Sequence, residues 1–215
     1  MEIDLLVDYP KIKRDVSARA QEKTDEQRAI ARLYDWRYFD MRTPRICYGG
    51  YSYDGRWIPV VRRFAEHYNL LDGADILDVG CAKGYMLYDF LGMGKDFNVV
   101  GIDISKYAVD CCPPEVSAFI GNAKNLSMFN DKEFDLVVCI NTIHNLPEPE
   151  CRQAVREIQR VGKNAFITVD SYRDDEEKER MMLWNITAET VHSVDGWTKL
   201  FEEEGYTGDF FWFIP

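Results

Sequence analysis

The stretch Ile76-Leu-Asp-Val-Gly-Cys-Ala-Lys-Gly84 constrains the fold more than any other, because the hydrophobic period changes across it at a single turn. Ile76, Leu77 and Val79 form the short apolar run of a strand covered on both faces. Gly80 and Gly84 let the backbone bend and lie close to a ligand. Tyr85, Met86, Phe90 and Leu91 then recur at helical spacing. The turn therefore opens a helix whose free N–H groups point back at whatever the glycines admit, and the unit predicts a ligand cradle at the carboxyl end of a strand.

The rest of the chain extends this unit. Thr24-Asp-Glu-Gln27 has the form of a capping box, and Ala29, Ile30, Leu33 and Trp36 follow on one face, which predicts a helix from about 24 to 38. Met1 to about Ser17 shows no clear period and is expected to be irregular, with Leu5, Leu6 and Val7 able to pair or to pack on the domain. Trp57 to Tyr68 reads as a helix leading into the first strand. Further strands are expected at Asn98–Asp103, Val116–Ile120, Phe134–Ile140, Asn164–Asp170 and Thr207–Ile214. Helices are expected at Glu148–Val161, from Asp174 onward, and from a Ser193 cap to Glu204. This alternation implies an α/β fold, Rossmann-like and doubly wound, with a mostly parallel sheet, helices on both faces and an N-terminal helical lid. Residues 1–56 are assigned to the lid segment and 57–215 to the ligand-binding domain. The expected strand order is 3-2-1-4-5-6, with the final strand beside the fifth unless residues 184–192 supply another.

Charge narrows the partners. The net charge of −11, from 26 basic and 37 acidic residues, opposes a bare electrostatic grip on phosphates, so nucleic acid is not an expected partner. The six cysteines include no Cys-x-x-Cys pair and are expected to be free thiols. No leader and no apolar run of membrane length is evident, so a cytoplasmic protein without membrane contact is expected. His67 and His192 show no partner pattern and no metal site is proposed. The oligomeric state stays open.

A dinucleotide fingerprint, Gly-x-Gly-x-x-Gly, fits poorly: Ala82 stands at the middle glycine and Tyr85 at the third. The pattern Asp78-x-Gly80-x-Ala82-x-Gly84 instead resembles the first motif of class I methyltransferases that use S-adenosylmethionine (SAM), with alanine replacing the usual middle glycine. Asp103 ends the second strand about twenty positions later, where a carboxylate can accept bonds from ribose hydroxyls, with Ile104 beside it. In the turn after the third strand the resemblance sets Asn122 against the adenine amino group and the Ala123 N–H on a ring nitrogen, although asparagine is also an ordinary turn residue. Asn141 and His144 follow the fourth strand and fall at the mouth of such a site.

The loop Tyr48-Gly-Gly-Tyr-Ser-Tyr-Asp-Gly55 is either a packed connection or a cover over the ligand. As a cover it would bring Tyr51 and Arg56 to the SAM carboxylate and Tyr53 to the substrate. His144 is the first candidate for a general base, because its free pKa lies near neutrality, with Asp170 and Tyr172 next. It is equally read as a packed histidine. Arg173 and Trp184 are candidate substrate contacts. The Pro-Pro-aromatic ending of base-amino methyltransferases is missing after Asn141, which resembles the small-molecule branch. The resemblance implies methyl transfer to an oxygen or nitrogen of a small acceptor, such as a sugar nucleotide or a natural-product intermediate. The alternatives are a nucleotide- or NAD-dependent oxidoreductase, which would want a third glycine and a Tyr-x-x-x-Lys, and a SAM-binding protein without catalysis.

Overall fold

A computed structural model of the protein describes residues 1–10, 16, 20, 23–43 and 47–215. At its centre lies β1, Asp75–Val79, which the glycine turn joins to α4, Tyr85–Leu91. β1 pairs in parallel with β2, Asn98–Asp103, on one side and with β4, Phe134–Ile140, on the other. β3, Ser117–Ile120, adds to β2, and β5, Gly162–Tyr172, adds to β4. The far edge of β5 takes β7, Asp209–Phe213, and then the two-residue β6, His192–Ser193. All these pairings are parallel, the last strand included, because α8, Val194–Glu203, carries the chain back across the sheet before β7 begins. The expected order holds, and residue 192 does contribute the extra short strand.

Alternation along the central strands divides the core between the two faces of the sheet. Leu77, Val137 and Cys139 pack on one face with α6, Glu148–Val161, and α8, through Val155, Ile158, Trp197 and Phe201. Ile76, Leu136 and Val138 pack on the other with α3, Ile58–His67, and α4, through Val61, Phe64, Leu87 and Phe90. The sheet is thus covered on both faces, as its apolar strands require. Ser105 caps the short α5, Lys106–Asp110, and Asp174 caps α7, Asp175–Trp184.

The N-terminal segment departs from its expected form. The helix expected over 24–38 is two helices, α1, Asp25–Ala31, and α2, Trp36–Asp40. Tyr34 turns the chain with φ 48°, and the Asp35 side chain accepts the Arg37 N–H, starting a new helix where the apolar periodicity alone would have run on. The Ser105 hydroxyl donates to the Tyr34 carbonyl and pins this corner against β2. At the start of the chain Glu2 bridges Phe210 on the outer edge of β7, and Leu5 is buried. The irregular reading of residues 11–15 and 17 lies outside the described residues. Among the described residues no helix is long and apolar enough to cross a membrane, and no group of acidic, histidine and cysteine side chains could hold a metal.

Candidate functional site

The cradle is built from backbone geometry. Gly80 (φ 85°) and Gly84 (φ 69°) both occupy the left-handed region, and the N–H groups of Gly80 and Cys81 donate to the Ile102 carbonyl at 2.8 and 3.0 Å, tying the turn to β2. A Cβ at Gly80 would stand 2.1 Å from Thr142 Oγ1, so only glycine lets the turn lie against the end of β4. Ala82 keeps a left-handed conformation, φ 50°, despite its Cβ. Ala82→Gly should relieve about 1 kcal/mol of that strain and raise the melting temperature by a few degrees with ligand binding intact, measured by thermal denaturation. A lower melting temperature would show that the Ala82 methyl contributes packing that outweighs the strain.

Asp103 is oriented by two amides: Ala82 N–H donates to Oδ2 and Ser105 N–H to Oδ1, each at 2.8 Å. Burial nevertheless lifts its pKa above the ordinary carboxylate value, against the pull of those two bonds. Asp103, Ile104, Asn122 and Ala123 line a cavity of about 120 Å³, closed over by Tyr34, Tyr38, Phe39 and Tyr48. Asn122 Oδ1 accepts the Lys124 N–H at 3.1 Å, as an Asx turn does.

Gly80, Ala82 and Asn141 also border a second cavity of about 740 Å³, so the two spaces meet at the cradle. Asp78, His144, Asp170, Tyr51, Arg56, Arg173 and Trp184 are among the residues that line it. Asp78 is buried, and burial followed by the nearby Asp103 carboxylate raises its pKa well above the usual range. A cationic group beside it would reverse that penalty. Asn141 is left-handed at φ 50°, and its Oδ1 accepts the Thr168 hydroxyl at 2.9 Å.

Three expected residues fall elsewhere. Tyr53 and Tyr172 are not among the described residues lining either cavity. The Tyr53 hydroxyl donates to the buried Asp89 of α4 at 2.7 Å, and the Tyr172 ring lies beneath Lys178 Nζ at 5.5 Å. Gly84 shapes the turn but faces Cys112 and Val116, not the cavities. Arg56 lines the large cavity with its guanidinium already held by Asp54, Nε to Oδ1 at 2.8 Å.

Sequence reasoning missed a buried ion pair. Lys83, 6% exposed within the turn itself, donates to both Asp40 oxygens at 2.9 and 2.7 Å and to the Tyr51 carbonyl at 2.8 Å. Asp40 also accepts the Tyr107 hydroxyl at 2.5 Å and the Tyr51 N–H at 3.1 Å. Burial pushes the Asp40 pKa up, but the bonds from Lys83, Tyr107 and Tyr51 outweigh it and hold the pKa below the ordinary value. The tyrosine loop is thereby fastened to the cradle. Nothing local marks this pair, since its members stand 43 residues apart.

At the opposite end the Asp170 N–H donates to His144 Nδ1 at 3.2 Å, and His144 Nε2 lies 3.7 Å from Asp170 Oδ2. Burial depresses the His144 pKa, with the Asp170 carboxylate opposing it. Asn185, also unforeseen, donates its amide to Asp170 Oδ2.

A parallel α/β sheet with a glycine cradle, an acidic residue ending β2 and joined cavities at the strand ends defines a Rossmann-like fold. Residues 76–165 match the family model described as a methyltransferase domain. It is 31% identical over 117 residues to a tRNA (carboxymethyluridine(34)-5-O)-methyltransferase of Xenopus tropicalis, covering 52% of this chain and 18% of that protein. It is 28% identical over 92 residues to a ubiquinone biosynthesis O-methyltransferase of Rickettsia bellii, covering 40% and 38%. The matched region therefore spans less than two fifths of either relative. The YcgJ protein of Bacillus subtilis superposes with a TM-score of 0.55 at 20% identity, over 70% of this chain and 68% of that one. The cyclase SpnF also gives 0.55 at 20%, over 70% and 56%. At such identities these structures establish the fold alone.

Proposed function

We propose that the protein binds SAM and transfers its methyl group to an oxygen or nitrogen of a small-molecule acceptor. The observation that carries this is the junction at Gly80 of two cavities, a small one ending on the oriented Asp103 carboxylate and a large one ending on His144 and Asp170. The residues present fit the cofactor: Asp103, its carboxylate oriented by two backbone amides, lines the small cavity, and the buried Asp78 lines the large one. Asp103 would hold the ribose, Asn122 and the Ala123 N–H the adenine with Ile104 beside it, and Asp78 and Asn141 the cationic amino acid end, with Tyr51 and Arg56 over it. When bound, SAM supplies a methyl group already activated by its positive sulfur. The chain's own task is then to exclude water, hold the acceptor in line and receive a proton.

Calorimetry with SAM tests the assignment. Asp103→Ala should weaken binding by about 1.5–3 kcal/mol through loss of charge-assisted hydrogen bonds, with the fold intact. Unchanged affinity would remove the ribose role, and tighter binding of NAD than of SAM would favour the oxidoreductase reading.

Two other readings have specific support. The tRNA methyltransferase similarity favours an RNA acceptor. The net charge of −11 opposes RNA binding by this chain alone. The shared fold of SpnF shows that a cyclase is built on the same scaffold, so fold does not fix the reaction. Mass gain of one methyl group in a metabolite extract, compared with total tRNA as acceptor, separates all three.

A further inference from the structure

One hydrogen bond decides what His144 can do. The Asp170 amide can only donate, so His144 Nδ1, 3.2 Å away, must present its lone pair. The neutral ring therefore carries its proton on Nε2. Burial keeps the ring neutral near pH 7. In that state Nδ1 accepts the amide and Nε2 carries the ring proton, so the ring has no lone pair left for an incoming proton. Accepting one would require Nδ1 to abandon a buried amide.

The adjoining carboxylate is arranged the opposite way. Asp170 is 5% exposed yet lines the large cavity. The Asn185 amide donates to Oδ2, and Asn185 is itself set by the Ala188 N–H on its Oδ1 at 2.7 Å. His144 Nε2 faces the same Oδ2 at 3.7 Å. The Trp197 indole N–H on the Asp170 carbonyl, at 2.9 Å, fixes the strand end. The recorded hydrogen bond to the carboxylate is thus on Oδ2, which His144 Nε2 also faces, while among the described residues none is recorded on Oδ1. The lining of the same cavity includes Trp184, Ile186, Phe211 and Phe213, with the Trp184 and Phe213 rings 6.4 Å apart and tilted by 35°. Such a lining suits a flat unsaturated ring.

Resting on the methyltransferase reading, we infer that Asp170 is the group that takes the acceptor's proton, that His144 and Asn185 position it, and that the acceptor is the hydroxyl of a phenol or enol. A carboxylate is a weak base, and a phenolic hydroxyl, with a pKa of about 10, is far closer to it than water or an alkyl alcohol near 16. The step balances: the proton passes to Oδ1 and then to solvent, the O–H electron pair stays on oxygen, and oxygen gains the methyl group while the sulfur retains the pair of the broken bond.

Two measurements on the full chain test this. In protein labelled with ¹⁵N-histidine and saturated with S-adenosylhomocysteine, long-range imidazole spectra should show His144 as the neutral Nε2–H tautomer throughout the neutral range. A charged ring, or a proton on Nδ1, overturns the inference, and this readout needs no acceptor. The second is methylation of a panel of simple phenols, hydroxybenzoates and naphthols beside aliphatic alcohols and amines, followed by mass. The phenols should gain a methyl group, and Asp170→Asn should lower that turnover by roughly 10²- to 10⁴-fold with SAM affinity retained. His144→Gln keeps a donor near Nε2 and should stay within about tenfold of the parent, which a base could not do. SAM binding without methylation of any phenol, or an active Asp170→Asn, overturns the inference alone. Failure to bind SAM at all overturns the underlying reading instead.

Discussion

Asp40→Ala is expected to lower the melting temperature by roughly 10 °C, about 3–5 kcal/mol, the usual cost of leaving a buried charge without its partner. The Lys83 side chain is 7% exposed against 30% for Asp40, so loss of the carboxylate strands an ammonium whose remaining bond is to the Tyr51 carbonyl. The reverse change, Lys83→Met, leaves a more exposed carboxylate that keeps the Tyr107 hydroxyl and the Tyr51 N–H, and should cost about half as much. Equal losses in both variants would show that the pair acts through packing and not through charge. Hydrogen exchange at residues 48–53 should quicken in Asp40→Ala, since the same pair anchors the loop. The effect has a pH signature. The Asp40 pKa is depressed in the folded protein, so its contribution is complete above the unfolded value near about 4 and is lost as pH falls through the folded value. The gap between wild type and Asp40→Ala should therefore narrow in acid.

Gly80→Ala is expected to cost about 2–5 kcal/mol and to abolish measurable SAM binding. Two terms add. At φ 85° any side chain is strained, and the new Cβ would meet Thr142 Oγ1 at 2.1 Å and Cγ2 at 2.5 Å. Relief requires the turn to leave the end of β4, which opens the junction between the cavities. Thr142→Gly in the same chain should return the steric part of the loss but not the backbone part, and a double-mutant cycle by thermal denaturation separates them. Full recovery would assign the whole effect to the clash, and none would assign it to φ.

The local chemistry of the chain was sufficient for the frame. A switch of period at Gly80, caps at Thr24 and Ser193, and an acidic residue ending β2 are each written within a few residues, so β1, its turn, α4 and the place of Asp103 were legible. Asp35 caps α2, but the apolar periodicity running through Leu33 and Trp36 hid the break that turns Tyr34, Tyr38 and Phe39 onto the smaller cavity. Which way Tyr53 points was not legible, because Asp89 lies 36 residues away on another element.

What the sequence determined by itself is therefore what short-range forces determine: which segments of the sheet and its covering helices are strand or helix, and that a glycine cradle faces a carboxylate at the ends of parallel strands. Tertiary structure decided the rest. The Lys83–Asp40 pair, the Asn185 bond to Asp170 and the tautomer of His144 each depend on groups brought together from 43, 15 and 26 residues apart. Their energies come from desolvation and directed hydrogen bonds that exist only once the sheet and its cover have closed around them.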